Sequence, residues 1–314
     1  MTYLFLAIGL AFLVIGGELL VRGSVMVATK FNVSPLLIGL TLVGFGTSMP
    51  ELVTSLEAAF ADAPGIAVGN IVGSNIGNVL LIMGLAALIM PVAINKKSLK
   101  RDGTALAIAT LLCLGAVLYG QLTLWMGIIL VLGLAAYIFI AYKQERRQTA
   151  ANDLLPDERA VRINIFPALV MVLLGLGLTI FGAKFLVQSA ITIASALGIS
   201  KTVIGLTVVA IGTSLPELVI SVMAAMRGQS ELAFGNVVGS NIYNILGILG
   251  VTAIVKPISI PPAIAQIDIW VLVATTIILL VVATTHKKIS RLEGGLMILA
   301  YGAYVVSLIL RTAS

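Results

Sequence analysis

The chain has 314 residues, 60% hydrophobic and 10% charged, with a formal net charge of +6, whereas a soluble globular chain carries about 25% charged residues. A mean hydropathy of +1.14 puts most of it in lipid and excludes a cytosolic enzyme, a nucleic-acid binder and a disordered regulator. One cysteine, Cys113, excludes a disulfide framework, and one histidine, His286, excludes a zinc enzyme built on several histidines.

A helix needs about 20 apolar residues to cross a bilayer. Ten apolar stretches follow in chain order, at roughly 2–28, 35–61, 66–92, 103–119, 122–142, 164–193, 202–226, 231–255, 264–285 and 292–311. The first lacks a basic start and a small-residue cleavage site, so it reads as a retained helix rather than a signal peptide. The longest polar stretch, 143–163, divides the chain. Residues 1–143 form a first set of five helices, 144–163 a cytoplasmic linker, and 164–314 a second set of five. The expected fold is an all-α integral membrane protein.

The two sets are copies. At a shift of 166, Ile38–Ser55 lies over Ile204–Ser221 with 13 of 18 positions identical, and GNIVGSNIGN (69–78) lies over GNVVGSNIYN (235–244) with 8 of 10 identical. Gly16 falls on Gly182 and Pro91 on Pro257 at the same shift. An odd number of helices per copy makes the second enter the membrane from the opposite side, giving inverted repeats.

Charge placement gives the orientation. With loops numbered alternately, one side holds 14 basic residues, among them Lys30, Lys96, Lys143, Arg227 and Lys287; the other holds only Lys201, Lys256 and Arg311. The positive-inside rule puts the first side in the cytoplasm and both termini outside, in a multi-pass protein of the cell (inner or plasma) membrane. The basic balance is then an orientation signal and needs no acidic partner. Tyr119, Trp125 and Trp270 fall near the outer helix ends, where an aromatic belt lies.

Polar residues sit where lipid tolerates them least. The second stretch centres on GTSMPE (46–51), the seventh on GTSLPE (212–217), the third near Asn78 and the eighth near Asn244. A carboxylate at the bilayer centre costs about 2.5–3.5 kcal/mol on insertion scales. Glu51 and Glu217 therefore need partners, and the repeated motifs contain no lysine or arginine. Ser48 to Glu51 and Ser214 to Glu217 have capping-box spacing, and Pro50 and Pro216 suit a first helical turn, so each motif reads as a helix that stops and restarts at mid-membrane. A purely capping role could be filled by glutamine without the charge. The prolines should also free the carbonyls of Gly46 and Gly212. With the hydroxyls of Thr47, Ser48, Thr213, Ser214, Ser74 and Ser240 and the amides of Asn78 and Asn244, the set is two carboxylates among neutral oxygens. Hard cations prefer such donors, and a flexible oxygen cage suits Ca²⁺ better than Mg²⁺. Gly69, Gly73, Gly235 and Gly239 read as sites of close helix approach.

These duplicated motifs, GTS[ML]PE paired with GSNIxN in two five-helix halves, resemble the cation/calcium exchanger superfamily, most closely its prokaryotic sodium/calcium antiporter branch. The resemblance covers almost the whole chain. It implies Na⁺/Ca²⁺ exchange by alternating access, with Ca²⁺ and Na⁺ as transported ions and no cofactor. It implies Glu51 and Glu217 as acidic ligands, the hydroxyl and amide residues above beside them, and backbone carbonyls near Gly44 and Ala210. Some members, potassium-dependent ones among them, carry aspartate where this chain has Asn244. The missing third carboxylate speaks against potassium dependence.

Other residues read as structural. Glu18 and Arg22 can pair four apart on the first helix, and Glu57 and Asp62 form a solvated helix end. Cys113 is expected in packing and His286 at the interface. The expected function is an antiporter that moves Na⁺ in and Ca²⁺ out. A divalent cation/H⁺ antiporter is the alternative, and a passive channel a further rival. The partners are the two ions and the bilayer.

Overall fold

The structure, a computed structural model, describes residues 2–31, 33–152, 165–196, 210–285 and 287–313. Twelve helices are defined among them: α1 Thr2–Phe31, α2 Leu36–Thr47, α3 Met49–Phe60, α4 Pro64–Ile89, α5 Lys96–Tyr119, α6 Leu124–Asn152, α7 Ile165–Ala196, α8 Ala210–Thr213, α9 Leu215–Met226, α10 Ser230–Val255, α11 Ile264–Thr285 and α12 Arg291–Ala313. Among the described residues eight helices are long and apolar enough to cross a membrane, and α2 with α3 makes a ninth span, bent by 42°. The remaining expected span, the seventh at 202–226, lies partly on residues 202–209, outside the described residues, as do Lys201, His286 and most of the linker. Helix α6 runs on to Asn152, past the expected end at 142. The added residues, Lys143 to Arg147 among them, are good helix formers that carry the helix on beyond its apolar stretch.

Helices α4 and α10 form the centre, with 78% and 83% of their apolar windows buried, against 11% for α12 at the rim. Ile71, Ile76 and Val79 of α4 and Val237, Ile242 and Ile245 of α10 belong to one core. Helices α1 and α7 pack antiparallel through glycines. A methyl on Gly9 would lie 2.9 Å from the Gly182 carbonyl, and one on Gly16 2.9 Å from that of Gly175. These contacts exchange the two copies, since Gly9 and Gly16 correspond to Gly175 and Gly182 at the shift of 166.

Two short antiparallel ribbons tie the ends. Val92–Ala93 (β1) pairs with Lys288–Ile289 (β4), and Gln121–Leu122 (β2) with Ile258–Ser259 (β3). Helix α5 starts beside β1 and ends beside β2, so the ribbons mark opposite ends of the bundle, about 36 Å apart at helical rise. Midway along, Thr110 and Thr276, 166 residues apart, share a hydrogen bond of 3.2 Å. Tyr119, Trp125 and Trp270 are exposed at the β2–β3 end.

Candidate cation site

Both glutamates start the second member of a broken helix pair. Ser48 and Ser214 take the N-cap positions of α3 and α9, with Pro50 and Pro216 in the first turn, as the spacing predicts. The capping box itself does not form: neither serine side chain bonds its own helix. Each hydroxyl instead crosses to the other copy. Ser48 Oγ donates to Glu217 Oε1 and Ser214 Oγ to Glu51 Oε1, both at 3.1 Å. A serine has one proton to give, and a buried carboxylate is the stronger acceptor.

Glu51 and Glu217 are completely buried. Among the described residues no ion pair reaches either one. Each keeps one carboxylate oxygen, Oε2, without a partner, and so do Asn78 Oδ1, Asn244 Oδ1 and Ser240 Oγ. Such an orphan costs about 1–3 kcal/mol when buried, more for a charged group. The helix of Glu51 packs on the segment holding Asn244, and that of Glu217 on the segment holding Asn78. At Asn78–Met83 and Tyr243–Leu249 the helices widen into π turns, a feature frequent at functional sites.

The remaining candidates surround this core. Ser74 Oγ lies 3.4 Å from Ser214 Oγ. Thr47 is buried, and its hydroxyl reaches the Val43 carbonyl at 3.0 Å and Asn236 Oδ1 at 3.4 Å. Thr213 is half-buried and lines a cavity. The Gly44 carbonyl already accepts from Ser48 N–H at 3.1 Å and from the Thr47 hydroxyl at 3.3 Å. Ala210 opens the short turn α8. Gly235 and Gly239 do approach another backbone, at Leu36 and Leu40. Gly69 and Gly73 meet nothing within 4 Å among the described residues and line the cavity. The counterparts of Leu36 and Leu40, Thr202 and Leu206, lie outside the described residues.

Six supporting residues escaped the sequence reading. Asn70 Nδ2 donates to the Glu51 carbonyl at 3.1 Å and to Ser55 Oγ at 3.0 Å; Asn236 Nδ2 does the same to the Glu217 carbonyl and Ser221 Oγ, at 3.1 and 2.9 Å. Asn75 and Asn241 bond the amides of Asn244 and Asn78. All six sit within the repeated segments at the shift of 166, which is the signal that could have found them.

The cavity, of about 540 Å³, reaches Ser74 and Ser214 and is also lined by Gly65, Asp268, Tyr304 and Leu308. It therefore joins the site to the β2–β3 end.

Two completely buried carboxylates without a basic partner, among orphaned neutral oxygens, suit a hard cation. The sodium/calcium exchanger protein family model matches residues 1–143 and 167–310. The chain belongs to this family. It is 37% identical to the putative antiporter CaxA of Alkalimonas amylolytica, over 96% of each chain. It is 35% identical to the sodium/calcium exchanger MaX1 of Methanosarcina acetivorans, over 98% of each. Among solved structures, the sodium-calcium exchanger NCX_Mj superposes with a TM-score of 0.83 at 33% identity, covering 98% of both chains. The exchanger reading makes the chain a multi-pass membrane transporter of the cation-exchange class and not an enzyme. Its two matched stretches begin 166 residues apart, the shift that relates the copied motifs.

Proposed function

We propose that this exchanger moves Na⁺ inward and Ca²⁺ outward by alternating access, with both ions competing for the cage around Glu51 and Glu217. One observation carries this reading. Glu51 Oε2, Glu217 Oε2, Asn78 Oδ1 and Asn244 Oδ1 are all buried and all without partners. They form a set of two charged and two neutral oxygens, duplicated across the copies. Two carboxylates balance one Ca²⁺, and an oxygen-only donor set fits Ca²⁺ and Na⁺. Among the described residues no three His, Cys, Asp or Glu side chains cluster, so nothing favours a softer metal. Thr47, Ser48, Thr213, Ser214, Ser74 and Ser240, with the carbonyls near Gly44 and Ala210, would complete the shells of the several ions.

The fold is ten spans in two inverted five-helix repeats, 1–143 and 164–314, joined by the 144–163 linker. The exchange of copies in the glycine contacts, the Thr110–Thr276 bond and the ribbon pairs supports this. Strand β3 corresponds to β1 at the shift of 166 yet lies at the opposite end. The positive-inside rule makes the β1–β4 end cytoplasmic and leaves both termini outside the cell membrane. The cavity then faces outward. Bound ions neutralise the dianionic cage and let α1 and α7 slide across it. An empty cage would carry bare charge past lipid, which blocks uncoupled return.

The test is Ca²⁺ uptake into proteoliposomes driven by a Na⁺ gradient with pH clamped. Uptake that follows Na⁺ and ignores a pH gradient supports the reading. Uptake driven by a pH gradient without Na⁺ identifies the divalent cation/H⁺ alternative, and flux without any counter-ion identifies a channel.

A further inference from the structure

Four buried asparagines form two bonds between the copies. Asn78 Nδ2 donates to Asn241 Oδ1 at 3.0 Å, and Asn244 Nδ2 donates to Asn75 Oδ1 at 3.4 Å. Asn75 corresponds to Asn241 and Asn78 to Asn244 at the shift of 166, so each copy supplies the acceptor for the other's amide. All four side chains are at most 1% exposed. A primary amide is a two-ended group, with two N–H donors at one end and a carbonyl acceptor at the other. Once its NH₂ end is held, its oxygen has one direction left. In both Asn78 and Asn244 that oxygen is the atom without a partner. Turned over, either amide would aim two partly positive N–H groups where the cation is bound.

We propose that Asn75 and Asn241 are positioning residues for exchange: they hold the ligand amides oxygen-first toward the cation without touching it. This rests on the cation cage proposed above. The two are unequal. Asn241 is itself anchored, since its Nδ2 donates to the Asn75 backbone carbonyl at 3.4 Å, whereas Asn75 Nδ2 has no partner. The Asn241–Asn78 bond is also the shorter, so Asn241 is the firmer guide.

The experiment compares Asn241→Leu, which keeps the side chain's size and deletes the acceptor, in the wild-type and Asn78→Ala backgrounds. In the wild-type background the KM for Ca²⁺ and the Kd from calorimetry should rise about tenfold, the scale of one lost hydrogen bond in a buried site. Maximal rate should stay close to wild type, while the unfolding temperature should fall modestly, because Asn78 Nδ2 and the Asn75 carbonyl each lose a partner. In the Asn78→Ala background, where no amide is left to orient, Asn241→Leu should add nothing. An equal loss in both backgrounds would mean that Asn241 only packs, and would overturn the proposal. So would an unchanged Kd in the wild-type background. If Asn241→Leu does not fold, Asn75→Leu read with and without Asn244→Ala gives the same test, with a smaller effect expected. Failure here is separable from failure of the cage: Glu51→Gln and Glu217→Gln that still exchange Ca²⁺ would sink the cage, whereas inactive glutamate variants beside a silent Asn241→Leu would sink only the positioning role.

Discussion

The two ends of the bundle carry the same three side chains in different settings. At the β1–β4 end, Asp102 accepts from Tyr137 at 3.1 Å and from Arg101 at 2.6 and 3.0 Å, and it is completely buried. At the β2–β3 end its counterpart, Asp268, accepts from Tyr304 at 3.2 Å and from Arg311 at 3.0 Å. There the aspartate side chain is 13% exposed and the arginine 28%, and the aspartate lines the cavity. The arginines come from different places: Arg101 adjoins its aspartate in the chain, while Arg311 comes from the far end of α12. The same clamp is thus sealed at one end and open to the cavity at the other.

The largest expected effect lies at the middle, where the copies are equal. Glu51→Gln and Glu217→Gln should each abolish Na⁺-driven Ca²⁺ uptake while the protein stays folded, because each removes half the charge that balances Ca²⁺. Wild-type exchange in either variant would break the equality. Loss of folding in both would favour a structural duty for the carboxylates.

At the ends the copies should differ in stability. Asp102→Asn removes one partner of a buried ion pair, which typically costs about 3–5 kcal/mol. Asp268→Asn faces the cavity, where the clamp is partly open, and should cost clearly less than Asp102→Asn. Unfolding of the two variants in the same detergent measures the gap. Equal losses would mean that the two clamps are equally sealed.

A third comparison lies in the amides. Asn244→Asp would set a carboxylate against Asn75 Oδ1, but the unpartnered NH₂ of Asn75 can turn to donate to it. Asn78→Asp meets Asn241, whose NH₂ is already engaged. Asn244→Asp should therefore be the milder change. A third negative charge attracts a cation by about 4 kcal/mol per unit charge at 4 Å and an effective dielectric of 20. Ca²⁺ should bind more tightly and exchange more slowly, with new sensitivity to K⁺ or pH. Calorimetry beside Na⁺-driven flux, with and without K⁺, checks this. Unchanged affinity, rate and ion dependence would mean that Asn244 does not face the cage.

The sequence made some of this legible and hid the rest for physical reasons. Polar motifs in apolar stretches stand out because lipid makes them costly, and duplication at one shift marks them as a set. The shift relates each residue to its copy, but it does not say that Ser48 reaches Glu217 rather than its own helix. Asn75 and Asn241 lie inside the repeated GSNIxN motif, yet the sequence alone assigns them no role, because their partners sit in the other copy. Asp102 follows Lys96, Lys97, Lys100 and Arg101, whose charges mark a cytoplasmic loop, yet the fold buries it against Tyr137. The π turns leave no compositional mark at all.

The smallest effect is expected in the turns, where the copies share a backbone but not a side chain. Asp62 (φ 54°) corresponds to Gly228 (φ 69°), and Gly120 (φ 83°) lies 167 residues before Lys287 (φ 54°). In each pair one copy uses glycine and the other holds a side chain in the left-handed region, at a cost of roughly 1–2 kcal/mol. Asp62 offsets part of this by its 2.6 Å contact with Lys256, but its side chain is 84% exposed. Such a surface pair contributes about 0–1 kcal/mol and weakens with salt. Asp62→Gly gives up the pair and relieves the backbone, so its stability should stay within about 1 kcal/mol of wild type. The difference should move in the variant's favour as salt rises, while the KM for Ca²⁺ stays unchanged. Unfolding at low and high salt measures the first and Na⁺-driven flux the second. A large loss of stability, or a raised KM, would mean that the Asp62–Lys256 contact holds the cavity mouth and that this turn, unlike its counterpart at Gly228, belongs to the transport path.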